Sequence, residues 1–247
     1  MEVLRKESFN DWQDKCYSDP SQWHITTVMK PSTRLSCVVR YTKILQLWGL
    51  LKTDKLKGGL KILEPGCGIG SLSAVLSIFG ETFSFDYSKE AIKAAISLFG
   101  YNKTITFFEG DGTKPKNIPE LDRRNFDFIL IREFYPLTRN IVGNPRPIEI
   151  VKEYYNMLNN GAVIIIEHAF NVDTWRKEDA ILQTSKIIKD FDAFIVSTLC
   201  LDLMLNFPLL FRYKKFKNLL ARLLNPIAVI LCLLTKIRLT KTIIIKK

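Results

Sequence analysis

The chain has 247 residues, 47% of them hydrophobic, and a formal net charge of +11. That length and apolar content allow one full hydrophobic core. Five scattered cysteines, none at C-x-x-C spacing, and only two histidines, His24 and His168, argue against a zinc or histidine-based metal site and suit a reducing cytoplasm. The amino terminus carries Glu2 and Glu7 and lacks the apolar core of a signal peptide.

Residues 1–57 read as a helical N-terminal cap. A polar part holds Trp12, Tyr17, Trp23 and His24. One amphipathic helix follows, marked by Leu35, Val38, Val39, Ile44, Leu45, Leu47, Trp48 and Leu51 and ended by Gly58-Gly59. From residue 58 to 247 strands alternate with helices, the pattern of a mostly parallel α/β sheet. The first strand, Leu60 to Leu63, ends in Glu64-Pro65-Gly66-Cys67-Gly68-Ile69-Gly70, and a helix from Ser71 to Phe79 follows with Leu72, Val75, Leu76 and Phe79 on one face. The second strand, Thr82 to Phe85, ends at Asp86. Ser88 then suits an N-cap, and Ile92, Ala95, Ile96 and Phe99 give the next helical face. The third strand, Thr104 to Phe108, runs into Glu109-Gly110-Asp111-Gly112-Thr113.

The fourth strand, Phe126 to Ile131, exits into Arg132-Glu133-Phe134-Tyr135-Pro136. A helix with Ile148, Val151, Tyr155 and Leu158 leads to the fifth strand, Ala162 to Ile166, an apolar run suited to burial on both faces that ends at Glu167-His168. A helix over 173–189, a sixth strand from Phe194 to Leu203 and a final strand over Lys241 to Lys246 complete the reading, with a helical insert over about 206–238.

Glycine loops of several kinds join a strand to a helix. A dinucleotide fingerprint, G-x-G-x-x-G, needs a third glycine at position 71, where Ser71 stands; a P-loop needs Gly-Lys-Ser/Thr, and no lysine follows Gly70. A glycine-rich turn without a ligand is the plain alternative. The pattern present, E-x-G-x-G-x-G, resembles the first motif of class I S-adenosylmethionine-dependent methyltransferases. Asp86 and Asp111 stand at the second and third strand tips, where ligands of parallel sheets bind.

That resemblance implies a Rossmann-like, seven-stranded, mostly parallel sheet with helices on both faces and an antiparallel last strand. It also implies S-adenosylmethionine as cofactor. Glu64 and the backbone of Gly66, Gly68 and Gly70 are expected at the donor's methionine end, Asp86 at ribose and Asp111 at adenine, with Gly112 and Arg132 completing the donor site. Such folds place acceptor contacts after strands four and five, which makes His168, Glu133 and Tyr135 the candidate catalytic residues. Amine-directed DNA methyltransferases carry N/D-P-P-Y/F after strand four, and Arg-Glu-Phe-Tyr stands here instead. The expected acceptor is a small-molecule, glycan or lipid-linked hydroxyl. An RNA methyltransferase and a non-catalytic donor-binding protein are the alternatives.

Charge is distributed unevenly. From Leu203 to Lys247 there are ten Lys or Arg residues and no Asp or Glu, which leaves +1 for the rest of the chain. The eight residues Ile227 to Leu234 fall short of the ~20 needed to span a bilayer. A core-packed insert with a solvated basic edge is the first reading; contact with an anionic membrane surface, which the paired leucines suit, comes second, and nucleic acid third. The expected location is cytoplasmic, with the inner face of the membrane as the place a membrane-contacting tail would add.

Overall fold

The computed structural model describes residues 17–18, 31–51, 59–138, 146–170, 190–191, 193–197, 201, 205–206, 219, 223, 227 and 239–247. Its elements run α1 (Pro31–Leu47), β1 (Leu60–Pro65), α2 (Ser73–Leu76), β2 (Gly80–Asp86), α3 (Lys89–Phe99), β3 (Ile105–Glu109), β4 (Phe126–Arg132), α4 (Tyr135–Thr138), α5 (Pro147–Asn156), β5 (Leu158–Phe170), β6 (Ala193–Ser197) and β7 (Leu239–Lys246).

The seven strands form one sheet in the order β3-β2-β1-β4-β5-β7-β6. Strands β1 to β5 pair in parallel, and β7 enters antiparallel between β5 and β6. The order reverses between β1 and β4, so the crevice at their carboxyl ends is the topological switch point where ligands of such sheets bind. Alternation along the strands divides the apolar side chains between two faces. Ile62, Phe128, Leu130, Val163 and Ile165 pack with α1 and α2, whereas Leu63, Phe83, Ile129, Ile164 and Ile166 pack with α5. Burial on both faces is the reason β4 and β5 read as continuous apolar runs.

Local chemistry sets the helix starts. Ser88 accepts a hydrogen bond from the Ala91 N–H and caps α3. Pro147 opens α5, and the Arg146 N–H donates to Glu149.

Several expectations require correction. The helix after β1 is only Ser73–Leu76, with turns on either side in place of a run from Ser71 to Phe79. In α1 the buried face passes through Cys37, Tyr41, Ile44 and Leu45, while Leu35 and Val39 are exposed. The buried positions keep the i, i+4, i+7 spacing, but a tyrosine stands at their centre. Ile96 of α3 is likewise exposed, because Ala91, Ile92, Ala95 and Phe99 already fill the sheet-facing side. The sixth strand ends at Ser197, and Leu201 is helical and buried, so the strand does not reach Leu203. Among the described residues it is an edge strand with β7 as its one neighbour, and its pairing stops opposite Lys241. Trp12, Trp23, His24, the helix over 173–189 and nearly all of the 206–238 insert lie outside the described residues.

Candidate active site

Glu64 is the next-to-last residue of β1 and is buried at 3% exposure. Its Oε2 accepts hydrogen bonds from Ser73 Oγ of α2 and from Ser84 Oγ of β2 at 3.2 Å. Burial raises its pKa to about 7, against the opposing pull of the two serine hydroxyls and the Arg132 charge. A carboxylate held half-ionised near neutrality is poised to gain from a cationic partner.

The loop after β1 is fixed to the end of β2. The N–H groups of Gly66 and Cys67 both donate to the Phe85 carbonyl, and that of Gly68 donates to Asp86 Oδ2 at 2.9 Å. The Ser88 N–H donates to Asp86 Oδ1 at 3.0 Å. Both Asp86 oxygens thus receive backbone donors. Gly66, Gly68 and Gly70 all have positive φ, which side chains with a Cβ resist. A Cβ on Gly66 would meet the Phe134 ring at 3.0 Å, one on Gly68 the Tyr17 hydroxyl at 3.1 Å, and one on Gly70 the Phe107 ring at 2.8 Å. The turn therefore requires glycine for its dihedrals, and its neighbours press on bare backbone. Just beyond, Ser71 Oγ is buried without a hydrogen-bond partner, a polar atom in want of a ligand.

Asp111 and Gly112 follow β3. Asp111 Oδ1 accepts from the Thr113 N–H and from Thr113 Oγ1 at 2.7 Å, an Asx turn that fixes its carboxylate. The Gly112 carbonyl accepts from the Tyr154 hydroxyl of α5 at 2.8 Å, and a Cβ on Gly112 would strike Phe134 at 2.7 Å. Phe134 thus borders both glycine turns. Cys67 is buried, and burial first, then the Asp86 and Glu64 carboxylates, pushes its thiol pKa up. Such a thiol stays protonated and serves as filler.

Arg132 ends β4 and pairs in register with Glu167 of β5. Burial works against its charge, but Tyr41 and Glu167 beside it hold the guanidinium pKa above its ordinary value. Glu167 accepts from Arg40 at 3.1 Å and from the Tyr41 hydroxyl at 2.8 Å, so α1 is tied to the rim of the sheet. Glu133 follows with φ at +51°, exposed to solvent, its N–H donating to the Glu167 carbonyl. His168 lies one position past the last β4–β5 pair, opposite Lys241 of β7, and Tyr135 opens α4. The side chains of His168 and Tyr135 lie outside the description.

The carboxyl rim therefore brings together Glu64, the glycine turn, Asp86, Asp111, Gly112, Arg132 and Glu133. The supporting serines 73 and 84 and the Arg40–Glu167–Tyr41 group are additions the sequence reading did not include. Ser84 had a visible signal, a hydroxyl inside an apolar strand; the Glu167 contacts are too distant in the chain to leave one. Among the described residues no group of three His, Cys, Asp or Glu side chains is placed to hold a metal ion.

Residues 63–166 match a family model described as a methyltransferase domain. A search of curated proteins finds no match. Among solved structures, the plantazolicin methyltransferase BpumL in complex with S-adenosylhomocysteine (SAH) is similar at TM-score 0.56, with 17% identity over 97% of this chain and 95% of that one. The N-methyltransferase NodS from Bradyrhizobium japonicum WM9, also in complex with SAH, gives a TM-score of 0.52, with 15% identity over 72% and 84% of the two chains. At those identities the likeness is one of fold. Residues 63–166 are thus similar to a methyltransferase domain, and the glycine turn and the strand order are those expected of the Rossmann-like class I S-adenosylmethionine-dependent methyltransferase fold.

Proposed function

We propose that the chain transfers the donor's methyl group to a hydroxyl oxygen of a small-molecule, glycan or lipid-linked acceptor. The observation that carries this reading is Glu133, an exposed carboxylate in a left-handed backbone conformation at the exit of β4. A non-glycine residue held at positive φ costs ~1–3 kcal/mol and gathers at sites where side-chain placement matters. An acceptor hydroxyl must lose a proton as it attacks, and in this reading the Glu133 carboxylate would accept it. His168, one position past the last β4–β5 pair, and Tyr135 are the further candidates.

The residues present fit the donor. S-adenosylmethionine, when bound, supplies a methyl group already activated on a positively charged sulfur. Glu64 would hold its ammonium group, the amides of Gly66, Gly68 and Gly70 its carboxylate end, Asp86 the ribose hydroxyls and Asp111 the adenine amine. Gly112 and Arg132 would border the same cleft. Glu64 and Asp86, both close enough to perturb Cys67, supply negative potential suited to a cationic ligand. The orphaned Ser71 hydroxyl offers one more polar contact. Since the donor is preactivated, the protein's contribution is alignment, exclusion of water and removal of the acceptor's proton.

Release of S-adenosylhomocysteine with a panel of hydroxylated glycan and lipid-linked acceptors tests the reading, with the methylated atom assigned by NMR. Glu133→Gln should cut turnover ~10²-fold or more while leaving donor affinity unchanged. A methyl group found on nitrogen would overturn the oxygen assignment. Donor binding without turnover on any acceptor would favour a non-catalytic binding protein.

A further inference from the structure

On the face of the sheet that carries α1, the carboxyl rim presents a row of polar side chains. Glu64 of β1 pairs in register with Ser84 of β2, and Arg132 of β4 with Glu167 of β5. Between β1 and β4 the register runs Ile62 with Phe128 and Leu63 with Ile129, so its continuation sets Glu64 level with Leu130. Arg132 stands two residues further out on the same face, which places the two backbones ~8 Å apart at ordinary sheet spacing. The outer carboxylate is fully used: Glu167 Oε1 accepts from Arg40 and Oε2 from Tyr41. The inner one is half used, because Ser73 and Ser84 both donate to Glu64 Oε2 and none of the described residues donates to Oε1. Arg132 is half-buried and bonds the Cys37 thiol, a weak acceptor. Among the described residues no carboxylate oxygen lies within 4.0 Å of its guanidinium. A carboxylate oxygen and a cation rich in N–H donors are thus left open beside each other at the switch point.

We infer that Glu64 and Arg132 together form a receptor for an α-amino acid group, Glu64 taking the ammonium and Arg132 the carboxylate. The inference rests on the donor reading above, since the methionine end of S-adenosylmethionine is such a zwitterion. It adds a side chain where that reading has the glycine turn. The amides of Gly66 and Gly68 already donate to Phe85 and Asp86, and that of Gly70 to the Cys67 carbonyl, so they offer the carboxylate only shared hydrogens. A guanidinium presents two parallel N–H groups to a carboxylate, in charge-assisted bonds stronger than neutral ones. An anionic acceptor would satisfy the cation too, but only the amino-acid group satisfies both open partners at once. Cys37, Tyr41 and Glu167 then act as positioning residues that hold the guanidinium at the rim.

Calorimetry of the full chain with S-adenosylhomocysteine and with 5′-methylthioadenosine, which lacks the amino-acid group, tests the inference. The parent should bind S-adenosylhomocysteine the more tightly. Arg132→Gln should weaken that binding by roughly 10- to 100-fold and leave 5′-methylthioadenosine affinity within about twofold of the parent's. Arg132→Lys, which keeps the charge but not the planar fork, should lose about tenfold or less, again for S-adenosylhomocysteine alone. Circular dichroism reports whether each variant is folded; if Arg132→Gln is not, the same comparison is read from the lysine variant. A folded parent that binds neither ligand would sink the donor reading itself. Where the parent does bind S-adenosylhomocysteine, equal parental affinity for the two ligands overturns this inference alone. So does a variant that binds S-adenosylhomocysteine as the parent does, or one that loses both ligands equally. Parental S-adenosylhomocysteine affinity together with lost turnover would hand Arg132 to the acceptor instead.

Discussion

The Tyr41 hydroxyl donates a 2.8 Å hydrogen bond to Oε2 of Glu167, a residue 126 positions further along the chain. Both groups are buried, Tyr41 at 0% and Glu167 at 4% exposure. Arg40 meets the other carboxylate oxygen, and Arg132 is near enough for its charge to act on Tyr41. Burial, with Glu167 beside it, pushes the tyrosine pKa well up, so its proton stays in place. This contact fastens the helix before the sheet to the rim on which Glu133 and His168 stand.

Tyr41→Phe should therefore destabilise the protein by ~1–3 kcal/mol despite the near-identical shape, because a buried carboxylate oxygen loses its donor. Urea denaturation measures this. Stability unchanged within a few tenths of a kcal/mol would mean that the hydroxyl makes no net contribution. Turnover should fall along with stability, through loosening of the rim.

Glu64 sets a pH dependence with a definite sign. Its folded-state pKa stands at about 7 against an ordinary 4.5, so between these values the folded protein keeps a proton that the unfolded chain has released. For this group, stability falls as pH rises through that window. Glu64→Gln should be more stable than the parent by ~1–3 kcal/mol above pH 7 without donor, and indistinguishable from it near pH 4.5. Donor affinity of the same variant should drop about tenfold or more. Denaturation at both pH values, with calorimetry at the higher one, provides the comparison; a variant less stable than the parent at high pH contradicts it.

Asp86→Ala should weaken donor binding by about 1.5–3 kcal/mol, the scale of hydrogen bonds to a charged group. It should also loosen the glycine turn, because the Gly68 and Ser88 amides lose their shared acceptor. Isothermal calorimetry measures the first effect and hydrogen exchange at Gly68 and Ser88 the second. Parental affinity would remove Asp86 from the donor site.

Two glycines with similar dihedrals separate backbone strain from crowding. Gly70 has φ at +77° and the Phe107 ring 2.8 Å from a built Cβ, whereas Gly161 has φ at +81° and nothing within 4 Å. Gly161→Ala should cost only the conformational term, ~1 kcal/mol. Gly70→Ala should cost ~1–3 kcal/mol more, since Phe107 and Ala95 must yield. Equal losses in the two variants would show that the turn has room to spare.

The rim was legible in the sequence where its chemistry is local. Glu64, Gly66, Gly68 and Gly70 lie within one turn, and Asp86 and Asp111 each end an apolar run that alternation alone reveals. The helix face of α1 was misread because Leu35 and Val39 are more apolar than Tyr41, yet only Tyr41 finds a polar partner inside the sheet rim. Glu167 looked like the unremarked end of a strand; its importance comes from Arg40 and Tyr41, which no window of neighbouring residues contains. The end of β6 was overextended because the apolar run continues after pairing with β7 has stopped at Ser197.

The insertion of β7 between β5 and β6 has a consequence for the order of assembly. Strands β1 to β5 can pair as they emerge, each against a neighbour already made or next in line. β6 cannot, because its sole partner among the described strands is β7, which follows after residues 198–238. Until β7 arrives, β5 presents one open ladder and β6 none that it can join. Pairing across that separation carries a large loop-closure cost and is slow compared with local pairing. During that interval Ile164 to Ile166 of β5 form an exposed apolar edge, a template for aggregation. Production of this protein should accordingly favour low temperature and a low expression level, conditions that weaken apolar association and make encounters between exposed β5 edges rarer without hindering the intramolecular arrival of β7.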